Sequence, residues 1–126
     1  MAELFSILTF DETKVIDVLN ISDTYTQVGQ LVTPSRAAGK YQLGFSLTYN
    51  FDRVTESVFM RWRQDGGAWQ EYSREQKDIT DDQTAFYEFP KDYAAQVHTI
   101  DLEMRKETAN GVLNLRFLDI YFQRIG

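Results

Sequence analysis

The chain has 126 residues, of which 43% are hydrophobic and 14% aromatic, and its formal net charge is −6. These values favour one globular domain and exclude a disordered or low-complexity chain. The acidic balance, with a pI near 4.7, argues against a nucleic-acid partner, because affinity for a phosphate backbone comes mainly from basic side chains. Without cysteine, the chain has no disulfide, no thiolate chemistry and no cysteine-bound metal.

The amino-terminal residues, from Met1 to Phe5, lack the positive region and the long apolar run of a secretion signal. No stretch elsewhere approaches the length needed to span a membrane, so we expect a chain made in the cytoplasm with no membrane partner. Residues 3–10 are more apolar than a free terminus should be. We therefore expect residues 1–10 to pack as a strand or to dock on a neighbouring subunit through Leu4, Phe5, Ile7 and Leu8.

The next two predicted strands cover residues 14–21 and 25–33. The apolar positions of residues 14–21 suit a strand or a short helix, and their β-branched content favours the strand. Gly29 lies inside the second strand, where a glycine indicates a bulge or a close approach of two backbones. A Thr-Pro dipeptide at residues 33–34 ends this strand.

Residues 40–51 carry the clearest pattern in the chain. Every even position is polar or small, and every odd position is large and apolar: Tyr41, Leu43, Phe45, Leu47, Tyr49 and Phe51. Successive side chains of an extended chain point to opposite faces, whereas a helix would scatter these six around its circumference. The segment is therefore predicted to be a strand with one face in the core.

Residues 57–64 alternate in the same way, with an apolar row of Val58, Met60 and Trp62. The Asp-Gly-Gly sequence at residues 65–67 tolerates positive φ and predicts a hairpin turn that returns through residues 69–72. The polar residues 73–83 are interpreted as a surface crossover.

The last predicted strands are residues 86–89, residues 96–106 and a long strand over residues 112–125. In the long strand the apolar row changes side near Phe117-Leu118, which a bulge would explain. Together the segments predict an all-β fold: a jelly-roll-like antiparallel β-sandwich of about eight to nine strands that forms a single domain over residues 1–126.

Few residues or motifs of the sequence suggest catalysis or metal binding. The lone histidine, His98, lies in the apolar row of an alternating strand, so we interpret it as a structural residue. No phosphate-binding loop, nucleophile elbow or zinc-protease motif occurs. The sequence therefore predicts no catalytic residue, no cofactor and no metal site, and it indicates a protein that is not an enzyme.

Three carboxylates, Asp78, Asp81 and Asp82, fall within five residues. They are enough to hold a calcium ion or to place a pair of acids for glycoside cleavage. The segment lacks the glycine and the alternating oxygen donors of a calcium loop, so a solvated loop is the favoured interpretation.

Candidate contact residues surround the predicted hairpin turn. Trp69 and Tyr72 are placed where an aromatic ring would stack against a sugar, whereas Trp62 belongs to the apolar row. Arg61 and Arg63 lie on the other face of the same strand and would meet an acidic partner surface.

Several turns and strand edges between residues 20 and 126 form a pattern of their own. They are Thr33-Pro34 followed by Ala38-Gly39-Lys40-Tyr41-Gln42-Leu43, Asp65-Gly66-Gly67-Ala68-Trp69, Tyr87-Glu88-Phe89-Pro90, Met104-Arg105-Lys106-Glu107, Phe117-Leu118-Asp119-Ile120 and Arg124-Ile125-Gly126. In this pattern the chain resembles small tailed-phage proteins that are built on a jelly-roll-like sandwich and encoded among virion genes. These segments are not catalytic signatures, and no functional residue is carried over from them.

The resemblance implies a non-enzymatic structural protein of the bacteriophage virion, of the capsid-decoration or head-associated type. It would be made in the host cytoplasm and would bind the phage capsid or another virion protein as a homo-oligomer, with a trimer favoured. The residues leave an alternative open, a carbohydrate-binding module used in host attachment. A glycan-cleaving enzyme that uses paired acids is the weakest of the three hypotheses.

Overall fold

The computed structural model describes residues 9–75 and 82–126. Eight strands make up most of this part of the chain: β1 (Phe10–Ile21), β2 (Thr26–Val32), β3 (Gly39–Phe51), β4 (Ser57–Gln64), β5 (Gln70–Glu75), β6 (Gln83–Tyr93), β7 (Thr99–Lys106) and β8 (Leu113–Arg124). Within the same ranges, no helix has the length and the apolar character that crossing a membrane requires.

The strands form two four-stranded sheets. The first sheet has the order β1-β8-β3-β6, the second has the order β2-β7-β4-β5, and every pairing is antiparallel. Strands that are distant in sequence are therefore neighbours in space, as in a jelly roll. The predicted all-β jelly-roll-like sandwich is confirmed.

The core lies between the two sheets and follows the period-two pattern. All six odd-numbered large side chains of β3 are at most 2% exposed. Trp62 of β4 is 7% exposed, and its ring centroid lies 5.6 Å from that of Phe45 in the facing sheet. The alternation therefore predicted correctly which faces of β3 and β4 are buried.

Two irregularities predicted from the sequence are present. The pairing of β2 with β7 shifts register between Gln27 and Gly29. A Cβ atom at Gly29 would lie 2.6 Å from Leu118 Cδ2, so this glycine allows β2 to pack closely on β8. In β8 the register with β3 shifts after Leu115, and Phe117 faces outward, so the change of face falls slightly earlier than the sequence indicated.

Three strands are longer than predicted. β1 begins at Phe10, β5 continues to Glu75, and β6 spans Gln83–Tyr93 rather than residues 86–89. In β6 the backbone pairs with β3 along this whole length although many of its outward side chains are polar. Ladder hydrogen bonds depend on backbone groups, so a strand can extend beyond its apolar pattern.

Candidate functional site

Arginines and aromatic rings alternate across the outer face of the second sheet. The guanidinium carbon of Arg61 lies 4.1 Å from the ring centroid of Tyr25 and 4.2 Å from that of Trp69. The guanidinium carbon of Arg63 lies 4.4 Å from the centroid of Trp69. We call the whole series the ladder, and its members in spatial order are Phe59, Arg105, Tyr25, Arg61, Trp69 and Arg63.

The other end of the ladder is built across β4 and β7. Arg105 pairs with Phe59 in the sheet register, and its guanidinium carbon lies 3.9 Å from that ring centroid and 5.2 Å from the ring of Tyr25. Phe59 shares one face of β4 with the two arginines of that strand because all three have odd numbers. Cross-strand pairing and strand periodicity together therefore bring the side chains of the ladder into line.

Carboxylates neutralise the ladder. Arg61 Nε donates to Glu103 Oε1 over 2.7 Å, and Arg63 Nε donates to Asp101 Oδ2 over 3.1 Å. The hydroxyl of Tyr25 donates to Glu71. Burial, and then this hydrogen bond, raise the pKa of Tyr25 to about 12. The predicted cationic contacts are thus already paired with acids, and the surface they form is rigid rather than strongly basic.

The structure separates the two predicted aromatic contacts. Trp69 is half-buried on the outer face of the second sheet as part of the ladder. Tyr72 points between the sheets, where its ring stacks on Tyr87 and Phe89 at 4.9 Å and 5.9 Å between centroids. A separation of three residues along an extended chain places side chains on opposite faces. The structure therefore brings Trp69 together with Arg61 and Arg63, but not with Tyr72.

A polar cleft opens between the sheets at the β4–β5 hairpin. Its volume is about 230 Å³, and we call it the polar cleft; its lining residues are Trp62, Gln64, Gly67, Ala68, Gln70 and Lys91. Lys91 Nζ lies 3.5 Å from Gln64 Oε1. Lys91 is an odd-numbered residue of β6, like the inward-facing Tyr87 and Phe89. The alternation of the strand would therefore have indicated that this polar side chain lies on the inward side.

The hairpin turn is held by a buried histidine. His98 is 1% exposed, and its Nδ1 lies 2.8 Å from Asp65 Oδ2 while its Nε2 lies 2.8 Å from the carbonyl oxygen of Ala94. Asp65 Oδ1 also accepts from the backbone N–H of Thr99 over 2.7 Å. Asp65 and Gly66 have φ of 51° and 70°, as the turn prediction required. These contacts fix the hairpin that carries both Trp69 and part of the polar cleft.

Some of the predicted site residues lie outside the described ranges. Asp78 and Asp81 are among them, as are the candidate subunit contacts Leu4, Phe5, Ile7 and Leu8. Asp82 is described, and its Oδ1 accepts from Asn50 Nδ2 over 3.1 Å. Within residues 9–75 and 82–126, no three His, Asp or Glu side chains are grouped as metal ligands.

Comparison with known proteins identifies the fold. No family model matches the chain, and no curated protein sequence matches it. The Eiger TNF from S. frugiperda has a TM-score of 0.52 at 13% identity, over 95% of this chain and 94% of that one. The mosquito-larvicidal Cry4Aa toxin from Bacillus thuringiensis has a TM-score of 0.50 at 12% identity, over 91% of this chain and 24% of that one.

Carbohydrate-binding modules are also among the similar structures. The CBM35 from Cellvibrio japonicus Abf62 has a TM-score of 0.48 at 14% identity, over 94% of this chain and 93% of that one. Identities this low show a shared fold and nothing finer. The fold and the comparisons together define the class of this protein as a jelly-roll β-sandwich.

Proposed function

We propose that this protein is a non-enzymatic carbohydrate-binding module that binds saccharides on the ladder face. The ladder itself carries the proposal, because it places Trp69 on the outer face between two guanidinium groups and beside fixed carboxylates. A pyranose ring combines an apolar face of C–H groups with a rim of hydroxyls. Because guanidinium groups cover the faces of the Trp69 ring, a saccharide would contact this ring at its edge and bind mainly through hydrogen bonds between its hydroxyls and the charged groups beside the ring.

Rigidity supports the same proposal. Arg61 is stacked on both sides and bonded to Glu103, and its side chain is 28% exposed. Groups that are held in place before a ligand arrives lose little conformational freedom when it binds. A saccharide would therefore meet donors and acceptors whose directions are already set.

The absence of a catalytic role is part of the proposal. The ladder carboxylates Asp101 and Glu103 each accept from a guanidinium, and Glu71 accepts from a phenol. Glycoside cleavage needs two carboxyl groups that face the substrate and act on it directly, whereas each of these three carboxylates is engaged by a neighbouring side chain. We therefore expect saccharides to be bound without being cleaved.

Glycan-array screening followed by calorimetry tests the proposal. Trp69→Ala should lose at least about tenfold in affinity for the saccharide selected, because it removes the ring that holds Arg61 and Arg63 in position. Phe86→Ala is the matched control, since this ring is 55% exposed on the outer face of the other sheet. Array silence at high protein concentration, or equal loss in both variants, would contradict the proposal.

A second candidate is the structural virion protein that the sequence pattern suggested. It is favoured by large apolar side chains on the outer face of the first sheet, where Phe10, Ile16 and Phe86 are 51%, 69% and 55% exposed. Exposed apolar groups favour contacts with other protein surfaces. In this role the protein would join the virion as a homo-oligomer seated on the capsid or another virion protein.

Light-scattering mass and binding to emptied phage particles test this candidate. A chain that lacks residues 2–8 keeps Thr9, whose carbonyl oxygen accepts from the backbone N–H of Arg124 over 3.0 Å, and all of β1. We expect this deletion to abolish oligomer formation or particle binding while leaving the circular dichroism of the sandwich unchanged. Unchanged mass and unchanged particle binding would argue against the virion role.

A further inference from the structure

A buried histidine ties two loops together at one end of the sandwich. His98, which directly precedes β7, is 1% exposed and is the only histidine of the chain. One ring nitrogen faces Asp65 in the turn between β4 and β5, and the other faces Ala94, which directly follows β6. We call residues 94–97 the connection, because they lead from β6 to the histidine. The ring therefore joins the connection to the hairpin turn.

Protein groups also pack around the rest of the ring. Its centroid lies 5.1 Å from that of Tyr93 and 5.6 Å from that of Phe122 of β8. The backbone N–H of His98 donates to Thr33 Oγ1 over 3.0 Å, which fixes the residue from the end of β2. At 1% exposure the ring nitrogens depend on protein atoms rather than on solvent for their hydrogen bonds.

The two contacts of the ring determine where it carries protons. Nδ1 lies 2.8 Å from Asp65 Oδ2, and Nε2 lies 2.8 Å from the carbonyl oxygen of Ala94. A carbonyl and an ionised carboxylate only accept hydrogen bonds, whereas a neutral imidazole has one N–H and one lone pair. Either neutral tautomer would therefore point a lone pair at an oxygen atom across a hydrogen-bond distance. A ring with a proton on each nitrogen donates to both oxygens, so the geometry favours the imidazolium.

We propose that His98 is an imidazolium in the folded protein at neutral pH, and that loss of its Nε2 proton releases the connection. Charge-assisted hydrogen bonds are the stronger ones, so a ring left with one proton keeps it on Nδ1, beside the carboxylate of Asp65. Nε2 then presents a lone pair to the carbonyl oxygen of Ala94, and this contact opens. The hairpin turn stays clamped through Asp65. The histidine is thus a pH-sensitive tie built into the fold, independent of saccharide binding.

Among the described residues, the two titratable side chains in contact with the ring keep their charge state between about pH 5 and pH 9. Hydrogen bonds from the Thr99 backbone and from His98 outweigh burial and hold the pKa of Asp65 below its ordinary value of 3.8. Burial, and then the charge of Asp65, raise the pKa of Tyr93 to about 12. The cation of β6, Lys91, has its ammonium 5.8 Å from the ring centroid of Tyr93. A variant that removes the histidine therefore shows which transition belongs to its ring.

Nitrogen-15 NMR of a histidine-labelled sample tests the proposal, since one histidine gives one pair of ring signals. At neutral pH we expect both ring nitrogens to carry a proton. As the pH is raised, Nε2 should lose its proton while Nδ1 keeps it. The backbone amide of Gln96, which donates to the carbonyl oxygen of Arg36 over 3.0 Å, should shift with the same midpoint as the ring. The indole N–H of Trp69 on the hairpin, and the amide of Gly111 at the opposite end of the sandwich, should stay unchanged.

Two substitutions of the histidine separate its two contacts. His98→Asn places an amide near the position of Nδ1 and leaves no donor at the position of Nε2, so the connection should be displaced at every pH. His98→Gln is the matched control, because its longer side chain carries the amide to the position of Nε2. In this control the connection should stay in place and the transition of the Gln96 amide should disappear. Lys91 is unchanged in both variants, so a transition that persists in His98→Gln belongs to another group and overturns the proposal.

Three results with the wild type would also overturn it. They are a single protonated ring nitrogen at neutral pH, an Nδ1 atom that loses its proton before Nε2, and a Gln96 amide that does not follow the ring. If the ring keeps both protons until the protein unfolds, His98→Asn decides the matter. A displaced connection in that variant supports the tie, and a connection that stays in place refutes it.

Discussion

Replacing Asp65 with asparagine tests the clamp that holds the β4–β5 hairpin. Asparagine tolerates the positive φ of 51° at this position, and its side-chain oxygen can still accept from the backbone N–H of Thr99. What the change removes is the negative charge beside His98. Both ring nitrogens of His98 lie 2.8 Å from oxygens that can only accept, Asp65 Oδ2 and the carbonyl of Ala94. In Asp65→Asn the side-chain amide N–H group replaces Asp65 Oδ2 beside His98 Nδ1, so that two donors face each other at this contact.

The size of the effect follows from the burial of the ring. A hydrogen bond to a charged partner contributes about 1.5–3 kcal/mol, and the histidine side chain is 1% exposed while the aspartate is 24% exposed. We therefore expect Asp65→Asn to lower the free energy of unfolding by about 2 kcal/mol. For a domain of this size that corresponds to a fall in Tm of roughly 6–12 °C.

Urea denaturation followed by circular dichroism measures this loss. Asp82→Asn is the matched control, because that carboxylate accepts an exposed hydrogen bond from Asn50 and should change stability by less than about 0.5 kcal/mol. If Asp65→Asn also stayed within about 0.5 kcal/mol of the wild type, the clamp would not contribute as argued.

The same clamp predicts a dependence on pH. Burial alone would raise the pKa of Asp65, but hydrogen bonds from the Thr99 backbone and the His98 ring outweigh it and hold the pKa below its ordinary value of 3.8. A lowered pKa in the folded state stabilises the protein above the unfolded value, and this contribution is lost as the pH falls through the folded value. The stability difference between wild type and Asp65→Asn should therefore narrow below about pH 4.

Three further substitutions probe the two outer faces of the sandwich. Arg61→Lys should cost about 1–2 kcal/mol in urea denaturation, because an ammonium cannot stack as a plane between Tyr25 and Trp69. Burial, then a hydrogen bond that protonated Asp119 donates to Glu12, and then the like charge of Glu12 raise the pKa of Asp119 to about 6. Ionisation of this carboxylate therefore opposes folding, by an amount that grows from about pH 4 and is complete above about pH 6. Asp119→Asn should raise stability at pH 7.5, with a gain that disappears below about pH 4. Gly44→Ala would place its Cβ 2.2 Å from the ring of Tyr121, so near-UV circular dichroism should show that ring displaced and urea denaturation a loss of about 1–3 kcal/mol.

The sequence by itself determined which sides of β3 and β4 face the core. Alternation over residues 40–51 predicted the buried row of β3, and the same argument placed Trp62 inside the sandwich. Gly29 predicted a bulge, and the structure shows the register shift beside it. These features depend on neighbours along the chain, because the direction of a side chain on an extended backbone is fixed by its position in the strand.

Only the tertiary structure decided which strands lie side by side. Tyr25 precedes β2 and Trp69 precedes β5, and nothing in either segment indicates that Arg61 of β4 would lie between their rings. In the same way, Lys91 of β6 meets Gln64 of β4 across the open side of the sandwich. Periodicity specifies a face within one strand, whereas strand order and sheet packing depend on contacts between distant segments. The ladder and the polar cleft arise from such contacts, so the sequence supplied their residues without their arrangement.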